Sequence, residues 1–258
     1  MASRTSLQPP RTIVFITGAS QGIGQQIART LSTPSVHPGY HVIVGALVES
    51  EGEAAVSRLL EEDSSRSLSV IPIDVTSDAS ISAAAGKVAA DFGRLDVLIN
   101  NAGILLDGLE QTVTNRPQFE RTFQVNLFGA AAVTEAFLPL LAEAETASQG
   151  PPRIVFVTSR VASLAVKSDP TDRSAARHFP MYRCSKAALN MLMLHFASLN
   201  PGWKVNGHDP GLTNTPLAQG QAGAGSVQDA AVNAVRLATL GGGGETGTYS
   251  NAFGIIPW

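Results

Sequence analysis

Tyr182 and Lys186 stand four residues apart in HFPMYRCSKAALN, residues 178–190. On a helix that spacing puts a phenol and an ammonium on one face, a turn apart. A phenol, with a pKa of about 10, is a poorly matched acid at neutral pH. A nearby ammonium favours the phenolate and brings the pKa closer to the working range. Such a pair suits protonation of the alkoxide that forms when a hydride adds to a ketone, or the reverse. The natural complement is a hydroxyl that holds the carbonyl oxygen. Ser159, in VFVTSR, is the candidate, 23 residues before the tyrosine. Taken singly, the three are also what a capping serine, a packing tyrosine and a surface lysine look like.

The elements that would position these residues alternate along the chain. RTIVFITG, YHVIVGA, SLSVIPIDV, LDVLINNAG, RIVFVTS, WKVNGHDPG and GTYSN read as strands. Between them lie helix-length segments: QGIGQQIARTL, ESEGEAAVSRLLEED, DASISAAAGKVAADFG, a long one from about 118 to 145, one from near Pro180, and one from about 226 to 240. Strands this uniformly apolar are covered on both faces, as in a parallel sheet with helices on either side. The reading is one α/β domain over residues 1–258, a Rossmann-type doubly wound sheet of about seven strands.

TGASQGIG, Thr17 to Gly24, falls where the first strand turns into the first helix. There Gly18, Gly22 and Gly24 allow a tight turn and bring backbone amides close to a pyrophosphate at the helix N-terminus. The spacing is one residue wider than the common dinucleotide fingerprint.

With TGASQGIG, the ordered motifs NNAG (Asn100 to Gly103), Asn126 in FQVNLFG, Ser159, YRCSK and DPGLTNT resemble the short-chain dehydrogenases/reductases in their shorter-subunit form, over nearly the whole chain. The end, GTYSNAFGIIPW, resembles the tails of fungal and carbonyl-reductase members. The resemblance implies hydride transfer between NAD(P)(H) and a carbonyl or secondary alcohol. It assigns Tyr182 as general acid/base, Lys186 as its activator and a holder of ribose hydroxyls, Ser159 as substrate orienter and Asn126 as support for a water relay. For the dinucleotide it implies contacts from Gly18, Ser20, Gln21, Gly22, Ile23 and Gly24, from Asp74 and Val75 at the adenine, and from Asn100, Ala102 and Gly103. Pro210, Gly211, Thr213 and Thr215 complete that set at the phosphate and carboxamide end.

NAD-specific relatives carry an acid at the end of the second strand, bonded to the ribose hydroxyls. Here Ala46 and Leu47 stand at those positions and the first carboxylate is Glu49, so NADP(H) is expected over NAD(H). Ser20, Gln21 and Arg29 are the polar groups that could meet the extra phosphate.

Two departures stand out from the family pattern. Residues 160–181 form an insertion, polar and proline-bearing, which begins and ends at the catalytic groups. It is expected to be a surface loop acting as part of a substrate lid, with Arg173, Arg177 or His178 facing a polar substrate, or else a solvated loop without contact. Asp209, before Pro210 and Gly211, sits where a carboxylate is unexpected; it either stabilises the turn or meets His208 or the substrate.

Composition narrows the rest. A net charge of -3 gives no electrostatic case for nucleic acid or an anionic membrane. One cysteine, Cys184, excludes an internal disulfide and a multi-cysteine zinc site, and reads as a small packing residue. The five histidines show no metal-ligand spacing. The N-terminus lacks a signal-peptide pattern and no run of 18 apolar residues follows, so a cytoplasmic protein is expected, acting on a small molecule and possibly a homo-oligomer. Two rivals remain open on sequence: an epimerase- or dehydratase-like member using the same residues, and a non-catalytic dinucleotide-binding sensor or scaffold.

Overall fold

A computed structural model describes residues 11–107, 115–147, 150–176, 178–218 and 223–258. In chain order the elements begin β1 (Thr12–Ile16), α1 (Gly22–Leu31), β2 (Tyr40–Ala46), α2 (Glu49–Glu62), β3 (Leu68–Pro72), α3 (Asp78–Phe92) and β4 (Val97–Asn100). A continuous helix follows: α4 (Arg116–Phe123), a π-helical turn (Gln124–Gly129) and α5 (Ala130–Ala147). The chain ends with β5 (Arg153–Val157), the short α6 (Leu164–Ser168), α7 (Pro180–Leu199), β6 (Lys204–His208), α8 (Val227–Ala238), β7 (Tyr249–Asn251) and β8 (Gly254–Ile255).

Among the described residues one sheet holds all the strands, in the order β3-β2-β1-β4-β5-β6-β7-β8. Every pairing from β3 to β7 is parallel; β8 alone pairs antiparallel, on β7. This eighth strand exceeds the seven expected. It is two residues long and follows a tight turn, with Gly254 at φ 136°, too short to leave a periodic signal.

Strand β1 explains why the sheet is buried on both sides. Alternate residues point to opposite faces: Ile13 and Phe15 join Phe137 and Phe196 in one core, while Val14 and Ile16 join Ile27, Leu31 and Leu237 in the other. The 32-residue helix Arg116–Ala147 contains an 18-residue stretch with a mean hydropathy of 1.6, enough by length and composition to cross a bilayer. It passes that test although no run of 18 apolar residues stands in the sequence, because scattered polar residues lower the mean only slightly. Val133, Phe137, Leu141 and Ala144 are fully buried in the fold, which makes it a core helix.

Strand order reverses between β1 and β4, which pair with each other although β2 and β3 intervene in sequence. In open α/β sheets the crevice beyond the strands' carboxyl ends at such a point is where ligands bind.

Candidate active site

The glycine loop after β1 is built for close approach. Gly18 and Gly22 have φ of 64° and 60°, a region side chains rarely adopt. A Cβ on Gly18 would lie 3.0 Å from the Ala102 Cα. Gln21, which precedes α1, makes no side-chain cap, and the first turn holds no acid. The helix therefore presents uncapped N–H groups and a positive dipole end, the arrangement an anion such as a pyrophosphate needs.

A cleft of about 510 Å³ opens at this point. Gly18, Ser20, Gln21, Gly22 and Ile23 line one side, with Asp74 and Val75 beyond β3. Ala102 and Gly103 form the floor. Pro210, Gly211, Thr213 and Thr215 close the far wall, Thr215 packing across from Gly22. An extended glycine-lined trough leading to an uncapped helix end fits a dinucleotide.

Three expected cofactor contacts fall elsewhere. Gly24 is a packing residue: a Cβ there would come 2.5 Å from the Asn101 Nδ2 and 2.7 Å from the Gly18 carbonyl oxygen. Asn100, buried at the end of β4, donates to the Thr134 hydroxyl on α5 at 2.8 Å and does not line the cleft. Its neighbour Asn101 does, and staples the glycine loop by donating to the carbonyls of Thr17 and Gly18 at 2.9 Å. Arg29 pairs with Glu62 at 2.7 Å, away from the cleft lining. At the end of β2, Ala46 is buried and Leu47 is exposed on the cleft, with Glu51 a turn further on in α2.

The catalytic candidates converge. Ser159 follows β5; Tyr182 and Lys186 lie in the first two turns of α7, and all three line the cleft. The Lys186 Nζ sits 5.8 Å from the Tyr182 ring centroid and donates to the Val157 carbonyl at 2.8 Å. Burial brings the Lys186 pKa down to about 8. Burial and then the Asp209 charge push the Tyr182 phenol up, while a hydrogen bond with Ser159 pulls it back. The sequence pointed to a lysine-lowered phenol; in the fold desolvation dominates instead. Asn126 lies in the π-helical turn and is buried. Its Oδ1 accepts from the Ile104 N–H at 2.8 Å, and its Nδ2 donates to the Ile104 carbonyl and the Ser185 hydroxyl. A Cβ at Gly103 would lie 3.3 Å from both Asn126 Oδ1 and Lys186 Nζ. Asn126 thus sits beside the lysine without lining the cleft, and ties the loop after β4 to α7.

Helix α7 has no cap of its own. Phe179 precedes it with φ 47°, and Pro180 occupies the first turn. The cap comes from 74 residues away: the buried Asp107 carboxylate accepts the Met181 N–H at 2.9 Å and the Tyr182 N–H at 3.0 Å. Asp107 is a positioning residue that spacing alone could not reveal. The left-handed backbone of Phe179, a strain of about 1–2 kcal/mol, accompanies a buried side chain that also lines the cleft.

Residues 160–181 are more ordered than a simple surface loop. They contain α6, with Val166 and Ala162 buried, and they are pinned internally. The Arg160 guanidinium pairs with Asp172 at 2.5 Å, Lys167 donates to the Ala175 carbonyl, and Arg183 of α7 donates to the carbonyls of Val161 and Ser174. The segment reaches the cleft through Arg160, Val161, Ser174 and Phe179. Arg173 and His178 do not line it; His178 faces a second cavity of about 310 Å³, shared with Cys184. Cys184 is exposed rather than packed. Arg177 lies outside the described residues.

Asp209 is buried and lines the cleft. Its Oδ1 accepts the Arg160 N–H at 2.9 Å and the Gly211 N–H at 3.1 Å, joining the loop after β5 to the turn after β6. His208 turns away, to the Ala230 carbonyl and Asn233. Tyr249 of β7 donates its hydroxyl to the Ser159 carbonyl and stacks on Trp258 at 5.5 Å. The tail also accepts from α6 and its cap: the Pro257 carbonyl from the hydroxyl of Ser163, which caps α6, and the Trp258 carbonyl from the Ala165 N–H.

A parallel doubly wound sheet with this cleft defines a nucleotide-binding oxidoreductase fold, and the comparisons agree. The short chain dehydrogenase family matches residues 12–224, and the chain belongs to that family. It is similar to the short-chain dehydrogenase/reductase ATR10 of Stachybotrys chlorohalonatus, 35% identical over 98% of this chain and 95% of that protein. It is also similar to the (+)-neomenthol dehydrogenase of Arabidopsis thaliana, 30% identical over 90% and 93%. In fold it matches the NADPH-bound carbonyl reductase from chicken fatty liver with a TM-score of 0.81, at 24% identity, covering 96% of this chain and all of that one. The protein is an NAD(P)-dependent oxidoreductase.

Proposed function

We propose that the enzyme reduces the carbonyl of a small, largely apolar ketone, or oxidises the matching secondary alcohol, with NADP(H). The observation that carries this reading is the convergence of Ser159, Tyr182 and Lys186 in the glycine-floored cleft. When bound, the nicotinamide supplies or accepts the hydride. The Ser159 hydroxyl holds the carbonyl oxygen beside the Tyr182 phenol. As the carbonyl carbon is reduced, Tyr182 gives its O–H proton to that oxygen, and a protonated Lys186 stabilises the phenolate that remains. Asn126 and Asp107 keep α7 and the loop after β4 in register, so that phenol and serine stay aimed at one point. Glycines 18 and 22 and the open end of α1 receive the pyrophosphate, with Ser20, Gln21 and Thr215 as polar neighbours. Ala46 and Leu47, which set no carboxylate against a 2′-phosphate, support NADP(H) over NAD(H).

The test is a ketone panel with NADPH and NADH, followed by absorbance of the reduced nicotinamide. Tyr182→Phe is expected to lower kcat by at least about 1000-fold, since the general acid is removed, while dinucleotide affinity is retained. Unaffected turnover in Tyr182→Phe would refute the acid assignment, and a preference for NADH would refute the cofactor assignment.

A further inference from the structure

Asp209 is 3% exposed, and a buried carboxylate is costly unless its lone pairs are satisfied. Its two oxygens are treated unequally. Oδ1 takes both good bonds, from the N–H groups of Arg160 and Gly211. Among the described residues Oδ2 has only the Asn251 Nδ2, at 3.4 Å, the outer limit of a hydrogen bond. No lysine or arginine among the described residues forms an ion pair with it; the guanidinium of Arg160, whose backbone N–H bonds Asp209, is committed to Asp172.

Holding the turn requires one acceptor oxygen, and an asparagine would serve as well. The second oxygen and the charge are surplus to that task. The charge also opposes the phenolate at Tyr182, so reduction gains nothing from it directly. What the under-used oxygen can do is accept a hydrogen bond in the cleft. Asp209 bonds the residue that follows Ser159 and lines the same cleft as Tyr182. A ketone whose oxygen meets Ser159 and Tyr182 therefore has its neighbouring carbons beside Asp209. Ile104, Leu105, Val161, Phe179, Leu212 and Leu217 make much of the remaining wall apolar, and of the polar residues on the inserted segment Arg160 is already paired with Asp172, leaving Ser174 as the other side-chain hydroxyl there.

We infer that Asp209 recognises a hydroxyl group carried close to the substrate carbonyl, through Oδ2, and that the enzyme's substrates are hydroxyketones with an otherwise apolar body. This rests on the ketone reduction proposed above and specifies its substrate class. A hydrogen bond to an ionised acceptor in a water-poor site discriminates against a substrate lacking the donor by roughly 10- to 100-fold.

The experiment uses acetophenones bearing a hydroxyl on the alpha carbon or at the ring ortho position, each paired with its methyl ether and with acetophenone itself. The kcat/KM ratio of hydroxyl to ether is measured with NADPH for the wild type, Asp209→Asn and Asp209→Ala. Asn retains an acceptor for the Arg160 and Gly211 N–H groups, and thermal unfolding reports whether the turn survives. The wild type is expected to favour at least one hydroxyketone by 10-fold or more, and both variants to bring that ratio down by about 10-fold. A wild-type ratio near one for every pair, or a ratio unmoved in both variants, overturns the inference while leaving ketone reduction standing. Failure of the wild type to reduce any of the ketones overturns the inference and the proposed function together.

Discussion

Removing the Asp107 carboxylate should separate the position of the catalytic helix from its existence. In the fold its two oxygens take the Met181 and Tyr182 N–H groups at 2.9 and 3.0 Å, at the start of a helix with no cap of its own. Each bond has an ionised acceptor, worth about 1.5–3 kcal/mol, and the charge faces the positive end of the helix dipole, worth up to about 1 kcal/mol. Water entering the space left by Asp107→Ala recovers part of this, so the net loss is about 3 kcal/mol. For a domain of this size that lowers Tm by roughly 6–12 °C. The same change frees the first turn of α7, which carries Tyr182, and a misplacement of about 1 Å at a catalytic group costs on the order of 100-fold. The assay pairs thermal unfolding with ketone reduction and dinucleotide titration by fluorescence. Expected are a lowered Tm, kcat down about 100-fold, dinucleotide affinity within about 3-fold of the wild type, and an intermediate position for Asp107→Asn, which keeps one acceptor. A lowered Tm with kcat unchanged would show that the cap serves stability alone. No change in either would refute the energetic weight given to the two bonds.

Two further outcomes follow from packing and burial. Gly24→Ala drives a methyl group into Asn101 and the Gly18 carbonyl, so stability should fall by about 1–3 kcal/mol and dinucleotide binding should weaken as the loop shifts; an unchanged Tm and affinity would contradict the close contact. His41 and His208 have pKa values lowered to about 4, by burial first in each case. With the folded pKa below the unfolded 6.5, the unfolded chain takes up protons first as pH falls. Stability is therefore full above 6.5 and is lost as pH drops towards 4. Unfolding free energies from denaturant titrations near pH 7 and near pH 5 should differ by roughly 2 kcal/mol for each histidine, about 4 kcal/mol for the pair, a gap that His208→Asn narrows by about half.

Much of the architecture was legible because it rests on local pattern. Each long apolar strand, the glycine turn after β1 and the Tyr182–Lys186 spacing is written within about ten residues. What escaped depends on the partner rather than the pattern. Asn100 and Asn101 are adjacent, and alternation in a strand sends one towards Thr134 and the other to the glycine loop; that period was available in the sequence but could not say which face held the cleft. Arg29 resembled a phosphate ligand until Glu62, 33 residues on, was found beside it. Asp107 reaches α7 across 74 residues. The segment 160–181 read as a polar surface loop, part of a lid or else solvated, yet Arg160, Arg183 and Lys167 use their charges and donors to pin it, and its apolar Val161 and Phe179 meet the cleft. Composition recorded how polar the segment is; it did not record which way those groups turn.

The stacking of Trp258 on Tyr249 has an optical consequence. The chain has two tryptophans. Trp203 is 5% exposed and bonded to Glu145, whereas Trp258 is 44% exposed and lies against the tyrosine whose hydroxyl holds the Ser159 carbonyl. A soluble quencher such as iodide therefore reaches one indole and spares the other. The accessible emission is a built-in, label-free reporter of the serine side of the cleft, and its intensity tracks whatever displaces β7 or α6 when a substrate enters.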